Sequence, residues 1–256
     1  MRIQVFTQAD AFYIPRILDL LCERRRDVVS IAIVPGELQP GHAGRYLRMM
    51  GVRDFSVQIA NLALHRLGDL ASRCMRLPRS FSVAGAARRA GVPCEHVARV
   101  NARGYLARLR ERGVDLIVSI ACPQKLGAEL LALPAHGCIN LHGALLPRYQ
   151  GIFPSFWVLA NGEASTGVTV HWMDESLDHG DVLLQRSVAI EPADTVHSLV
   201  LRSKVEVGRH LLVEAIDLVE RGAAPREPMD LAVASYFSYP DHAAVRAFRA
   251  RGRRFI

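Results

Sequence analysis

Asn140 and His142 close an apolar run, Gly137-Cys138-Ile139-Asn140-Leu141-His142, and lead into an irregular loop from Gly143 to Gly151 that contains Pro147. Further on, the strand-like Gly167 to Met173 runs directly into an acidic turn, Asp174-Glu175-Ser176-Leu177-Asp178-His179-Gly180-Asp181. Side chains alternate along a strand, so Asn140 and His142 share one face about 7 Å apart, while Ile139 and Leu141 point to the other. An amide, an imidazole and a carboxylate together suit acyl transfer to an amine. The amide N–H can donate to an oxyanion formed when a carbonyl is attacked. The imidazole can move a proton near neutral pH, and a carboxylate can fix its tautomer and stabilise the imidazolium. No enzyme nucleophile is required when the amine attacks directly.

The same residues have plainer readings. Asparagine and histidine near strand ends often anchor loops, and acidic turns are usually solvated, so spacing alone leaves the partner of His142 open. His142, His171 and Asp178 could also ligate a metal, but no His-x-x-x-His or His-Glu-x-x-His pattern accompanies them, and no metal site is expected.

These groups need a scaffold. Ile3 to Phe6, Val28 to Val34 and Asp115 to Ala121 read as buried strands, and Ile14 to Arg24 as a helix with Pro15 near its start, where a missing N–H costs little. This β-α-β opening predicts a parallel sheet. Further helices are expected at Val83 to Ala90, ended by Gly91, at Ala102 to Arg112, ended by Gly113, and at Leu126 to Leu133; Val92 to Val97 reads as a short strand. Gly41 to Gly51 is polar, basic and turn-like, whereas Phe55 to Arg76 has apolar residues at helical spacing. Pro154 to Leu159 can start a helix, and Val182 to Ile190 is a further strand. Asp194 is the expected N-cap of one long helix whose apolar stripe runs from Val196 to Leu218, ended by Gly222. The expected fold is α/β, a Rossmann-like open, mostly parallel sheet flanked by helices with a short C-terminal appendage. Residues 1–222 would form the catalytic domain and 223–256 an extension, broken by Pro225, Pro228 and Pro240, too short to fold alone.

The chain has 256 residues, half of them apolar and 22% charged, the balance of an ordinary globular protein. It shows no apolar leader and no long uncharged stretch, so a cytoplasmic location without membrane insertion is the expectation. The five cysteines lack any Cys-x-x-Cys pair, which argues against a disulfide framework or a zinc ribbon. The net charge of +7 is carried almost wholly by arginine, since Lys125 and Lys204 are the only lysines. It favours anionic partners such as nucleotides, phosphates or RNA, although scattered arginines also make an ordinary basic surface.

The run Asn140-Leu141-His142-Gly143-Ala144-Leu145-Leu146-Pro147-Arg148-Tyr149-Gln150-Gly151, with Gly167-Val168-Thr169-Val170-His171 and Leu177-Asp178-His179-Gly180-Asp181, resembles the 10-formyltetrahydrofolate-dependent formyltransferases. That family includes methionyl-tRNA, glycinamide ribonucleotide and sugar-nucleotide N-formyltransferases. The resemblance is dense over residues 80–190. It implies that Asn140, His142 and Asp178 are the catalytic set and that 10-formyltetrahydrofolate is the co-substrate. By the same resemblance the pterin pocket falls on Cys122, Pro123, Gln124 and Leu126 on one side and on Met173, Asp174, Glu175 and Leu177 on the other.

The chain departs from that pattern in places. Ala144 stands where relatives usually have serine. Thr7-Gln8-Ala9-Asp10 replaces the Gly-Ser-Asn phosphate loop of the ribonucleotide enzyme, which argues against that acceptor. Residues 223–256 cannot supply the carboxy-terminal β-barrel of the tRNA enzyme. The leading expectation is therefore formyl transfer to a primary amine of a small or nucleotide-linked acceptor, with an amino sugar as the best guess. The alternatives are a compact methionyl-tRNA formyltransferase, a formyltetrahydrofolate deformylase, or a non-catalytic folate- or nucleotide-binding module. The oligomeric state and the role of residues 41–76 stay open.

Overall fold

The computed structural model describes residues 1–36, 43–75 and 77–256. Its frame is a seven-stranded sheet in the order β3-β2-β1-β4-β5-β7-β8. The strands are β1 (Ile3–Thr7), β2 (Val28–Ile33), β3 (Cys94–His96), β4 (Leu116–Ile120), β5 (Cys138–His142), β7 (Ser165–Trp172) and β8 (Val182–Ala189). The first five pair in parallel, and β7 and β8 join antiparallel. β1 and β4 are buried at every position, Gln4, Thr7 and Ser119 included, as strands covered on both faces should be.

Helices cover both faces. On one side α1 (Ile14–Arg24), α3 (Val83–Ala90) and α8 (Gly208–Glu220) pack on the sheet through residues such as Ile17, Leu18, Ala87, Leu212 and Ile216. On the other, α4 (Arg103–Glu111) and the single turn α5 (Ala128–Leu131) bury Leu106, Leu109 and Leu130 with Phe6 and Ile117. Local signals set the ends of α3: Ser82 Oγ accepts the Gly85 N–H at 2.8 Å, and Gly91 closes the helix in the left-handed conformation at φ 68°.

Several expectations need correction. Strand β3 and helix α5 are shorter than the stretches 92–97 and 126–133. Residues 43–50 are helical rather than turn-like, and Gly51, at φ 79°, kinks them into the helix that continues to Ala71 as α2 (Ala43–Ala71). Gly41 and Arg76, the ends of the early stretch, lie outside the described residues. The expected long helix is divided into α7 (Val196–Val200), a π-helical segment from Leu201 to Val207, and α8. Its N-cap is Thr195 rather than Asp194, because Thr195 Oγ1 and the Ser198 side chain form a reciprocal capping box. Asp194 instead accepts from Ser198 Oγ at 2.9 Å and from the guanidinium of Arg202.

Residues 223–256 return to the main body. β6 (Gln150–Gly151) pairs in parallel with β9 (Tyr236–Phe237), and α9 (His242–Ala250) packs on α6 (Pro154–Asn161). A third apolar cluster forms there around Phe156, Phe248 and Phe255, all at or below 5% exposure. No helix of the described residues is long and apolar enough to cross a membrane.

Candidate active site

The strand order reverses beside β1. β1 is followed outward on one side by β2 and β3, and on the other by β4 and β5, so a crevice opens between the carboxyl ends of β1 and β4, where open α/β sheets bind ligands. A cavity of about 390 Å³ lies there, reaching from Gln8 and Ala121 across Asn140 and His142 to Asp178. Its size falls within the range of small-molecule sites.

Asp178 is the hub. Its Oδ1 accepts from Asn140 Nδ2 at 3.3 Å, and its Oδ2 accepts from the Gly151 N–H at 2.9 Å and lies 3.4 Å from His142 Nδ1. The Gln150 side chain donates to the Asp178 carbonyl at 2.9 Å, which ties the turn to the loop after β5. The acidic turn does not reach β5 by sharing a strand end. β7 runs antiparallel, pairing Trp172 with Ile139 and Thr169 with His142, so it ends beside the start of β5. The turn must fold back along β5, and Trp172 N–H donating to the Asp181 carbonyl at 2.8 Å closes its base.

Gly180 makes that fold possible, since a Cβ there would sit 2.2 Å from the Trp172 carbonyl oxygen. Gly180→Ala is expected to displace Asp178, and a displacement of about an ångström beside a reacting centre lowers kcat by about 10²-fold. A steady-state assay showing unchanged kcat would contradict this account of the turn.

Burial governs the charges. It pushes the His142 imidazole below its ordinary pKa of 6.5, with Asp178 and the Tyr149 carbonyl opposing. His142 Nε2 sits 2.8 Å from the Tyr149 carbonyl, which can only accept, so Nε2 carries the hydrogen and the lone pair of the neutral ring is on Nδ1, facing Asp178. For Asp178 burial acts upward, but the neighbouring His142 and His171 outweigh it and hold the carboxyl well below the usual carboxylate range.

Two participants escaped the sequence reading in these roles. His171, considered only as a metal ligand, gives Nδ1–H to the Trp172 carbonyl at 2.8 Å, leaving Nε2 to accept from Asn140 Nδ2 at 3.1 Å. The signal was its place on the same face of β7 as Thr169, but the strand register was needed to set it opposite Asn140. Lys204 lines the cavity from the π-helical segment; burial lowers its pKa, while Asp178 and Asp10 raise it. A lysine inside the apolar stripe Val200, Val207, Leu211 was the available signal. No group of three His, Cys, Asp or Glu side chains among the described residues is placed to hold a metal ion.

Of the expected pterin-pocket residues, Cys122, Pro123, Gln124, Leu126, Met173, Asp174 and Leu177 line the cavity. Glu175 does not; it is exposed in the turn and stays out of the cavity wall that its neighbours Asp174 and Ser176 line. Gln124 is held by the Val100 N–H at 3.1 Å and by the Ala98 carbonyl at 2.7 Å, so it braces its loop. Ala144 is buried, its carbonyl taken by Thr169 Oγ1 at 2.7 Å. Asp10 accepts from the backbone N–H groups of Phe12, Tyr13 and Ile14 at 2.9, 2.6 and 2.9 Å. A carboxylate thus already occupies the start of α1, where a phosphate would otherwise be attracted.

The backbone concentrates strain here. All four non-glycine residues with positive φ among the described residues, Ala121, Tyr149, Phe153 and Asp178, border the cavity or hold His142. Each costs on the order of 1 kcal/mol, a cost typically retained at functional sites.

Residues 94–216 match the family model described as formyl transferase. The methionyl-tRNA formyltransferase of Geobacter metallireducens is 42% identical over 146 residues, 57% of this chain and 47% of that protein. The chain thus spans about half the length of the curated relatives it matches. Glycinamide ribonucleotide transformylase 1 from Symbiobacterium toebii matches in structure with a TM-score of 0.60 at 22% identity, over 87% of this chain and 88% of that one. The N-formyltransferase from Helicobacter canadensis, in complex with folinic acid and dTDP-3-aminofucose, matches with a TM-score of 0.60 at 15% identity, over all of this chain and 81% of that one. These structural likenesses establish the Rossmann-like formyltransferase fold.

Proposed function

We propose that this protein transfers a formyl group from 10-formyltetrahydrofolate to a primary amine, with Asn140, His142 and Asp178 as its catalytic residues. The observation that carries this reading is the sharing of one buried carboxylate, Asp178, by Asn140 and His142 at the floor of the cavity. The segments Cys122–Leu126 and Met173–Leu177 offer the half-buried Cys122 and Met173, the exposed Leu177 and loop backbone groups to a flat heterocycle, which fits a pterin ring. The donor supplies an activated formyl carbon whose bond to nitrogen can break.

His142 Nδ1 takes the proton that the attacking amine loses, and Asp178 stabilises the imidazolium so formed. The same proton then passes to the departing nitrogen, so the ring ends as it began. Asn140 Nδ2 is engaged by His171 and Asp178. Donation to the oxyanion asks it to exchange one of those bonds for one to the substrate, which tightens only as charge develops.

Because His142 is neutral above its lowered pKa, kcat/KM should fall on the acid side only below pH 6.5. Asp178 raises that pKa, so Asp178→Asn should move the acid limb to still lower pH as well as reducing the rate. A pH–rate profile whose acid limb moves upward in the variant would contradict the assignment.

For the acceptor, similarity favours methionyl-tRNA over the amino sugar expected from the sequence. Methionyl-tRNA formyltransferases are among the curated relatives above 40% identity, whereas the sugar N-formyltransferase from Helicobacter canadensis is alike in structure at 15% identity. The carboxylate of Asp10 at the start of α1 speaks against a phosphate acceptor bound there. The test is incubation of the protein with 10-formyltetrahydrofolate and charged initiator tRNA, with mass-spectrometric detection of formylmethionine. Formate release without any amine would favour the hydrolase instead, and an inert mixture with both tRNA and amino-sugar acceptors would sink the proposal.

A further inference from the structure

The cavity holds a charged group that the transfer chemistry above leaves unused. Lys204 lines its wall, half-buried, and among the described residues its ammonium has neither a hydrogen-bond acceptor nor a carboxylate at ion-pair distance. Its Cδ lies 3.7 Å from the point that a Cβ would occupy at Gly143, the residue after His142, and the side chain continues through Cε to the ammonium.

The backbone around Lys204 is special. It stands in the middle of the π-helical segment, whose i→i+5 step is marked by the Gly208 N–H donating to the Ser203 carbonyl. A π-turn takes in one residue more than an α-turn and re-aims its side chains, and such turns recur at functional sites. A Cβ added at Gly208 would lie 3.4 Å from both Leu141 Cδ1 and Val168 Cγ1, so the segment is held against β5 and β7. The residue type is informative too. Arginine supplies the rest of this chain's basic side chains apart from histidine, yet both lysines, the exposed Lys125 and the half-buried Lys204, line this cavity. Lysine brings a compact charge, whereas arginine needs room for a planar fork.

Charge balance shows what the ammonium can do. Attack joins the acceptor nitrogen to the formyl carbon and moves the carbonyl electron pair onto the formyl oxygen. His142, on taking the amine's proton, balances Asp178 and leaves that oxygen uncompensated. The other donors are committed: His142 Nε2 gives its hydrogen to the Tyr149 carbonyl, and Asn140 Nδ2 must first release His171 or Asp178. A charged donor in a water-poor cavity acts far more strongly there than in bulk water.

We infer that Lys204 is a further catalytic residue, its ammonium donating a hydrogen bond to the formyl oxygen as negative charge develops there. This role presupposes the transfer reaction above. Lys204 keeps its proton throughout. Collapse returns the electron pair from oxygen to carbon and breaks the bond to the donor nitrogen, which receives the proton that His142 had taken.

Lys204→Met removes the charge at similar volume, and Lys204→Arg keeps a charge in bulkier form. Lys204→Met should lower kcat by about 10²- to 10³-fold, the cost of one oxyanion donor, with donor and acceptor KM nearly unchanged, and Lys204→Arg should recover part of the loss. A pH profile adds a readout that a merely structural role would not move. Burial pushes the Lys204 ammonium below its ordinary pKa of 10.5, opposed by Asp178 and Asp10; with His142 these are the charged groups that face it. The wild-type kcat should therefore begin to fall on the alkaline side before pH 10.5, although the acceptor amine only gains free base as pH rises. Lys204→Met should abolish that limb. Because the chain has only two lysines, nuclear magnetic resonance of the protein labelled with ¹³C-lysine follows both ammonium groups without substrate, and Lys204→Met assigns the signals.

A Lys204 signal that titrates at or above pH 10.5 would place the ammonium in open water and overturn the inference. So would a Lys204→Met variant with kcat within about threefold of wild type, or one whose acceptor KM rises at constant kcat, since the lysine would then bind the acceptor in its ground state. Either kinetic result leaves formyl transfer standing, whereas no transfer by the wild-type protein refutes the reaction and this role together. Circular dichroism melts check the folding of both variants, and the titration on the unaltered protein decides the matter even where a variant fails to fold.

Discussion

Asp178→Ala is expected to lower kcat by about 10²- to 10⁴-fold, the range for losing a positioned acid–base group. The carboxylate does three things at once: it faces the proton-accepting nitrogen of His142, takes an N–H of Asn140, and anchors the Gly151 backbone. Removing it leaves the His142 imidazolium formed during transfer without a counter-charge and a backbone donor without an acceptor. Asp178→Asn separates these roles, since its amide oxygen can still receive the Gly151 N–H while the charge is gone. Both variants should therefore lose most of kcat, and the alanine variant alone should also lose stability. Single-turnover transfer rates and denaturation midpoints measure this. Retention of more than a tenth of wild-type kcat by both variants would remove Asp178 from the mechanism.

Phe156→Ala should cost about 3–5 kcal/mol of stability, the usual range for a fully buried phenylalanine. Phe156 is 0% exposed and meets Phe248 at 4.8 Å, Phe255 at 5.6 Å and Trp157 at 5.3 Å between ring centroids. Two of those partners belong to the carboxy-terminal segment, so the cavity would unclamp that segment from α6. Residues 223–256 then behave as part of the main folding unit rather than as an appendage, in keeping with the Phe255 N–H bound to Asp54 Oδ2 at 3.1 Å. Urea titration followed by near-ultraviolet circular dichroism would show a lower midpoint with one transition. A loss below about 1 kcal/mol would mean that the segment docks without contributing to the core.

The parallel strands were legible because burial on both faces leaves a run of apolar residues, as in Leu116 to Ile120. Helix starts were less so. Asp194 and Thr195 are both competent caps by type, and only the geometry of Ser198 and Arg202 decided between them. The helicity of residues 43–50 was hidden because their buried anchor, Met49, lies against the third apolar cluster, a partner far away in sequence. Glu175 shows the limit of carrying a motif over by position, since it stays out of the cavity wall while Asp174 and Ser176 on either side line it.

For the site, the period of a strand by itself put Asn140 and His142 on one face, and the motif around Leu177-Asp178 singled out one carboxylate among four acids. Alternation is local, so the sequence by itself carried the shared face, while the choice of Asp178 came with the family resemblance. The antiparallel return of β7, the fold-back of the turn against Gly180, the service of His171 to Asn140 and the approach of Lys204 were decided only in three dimensions. Each depends on which strands pair and in what register, and those choices are made by burial summed over the whole chain rather than by any residue's neighbours.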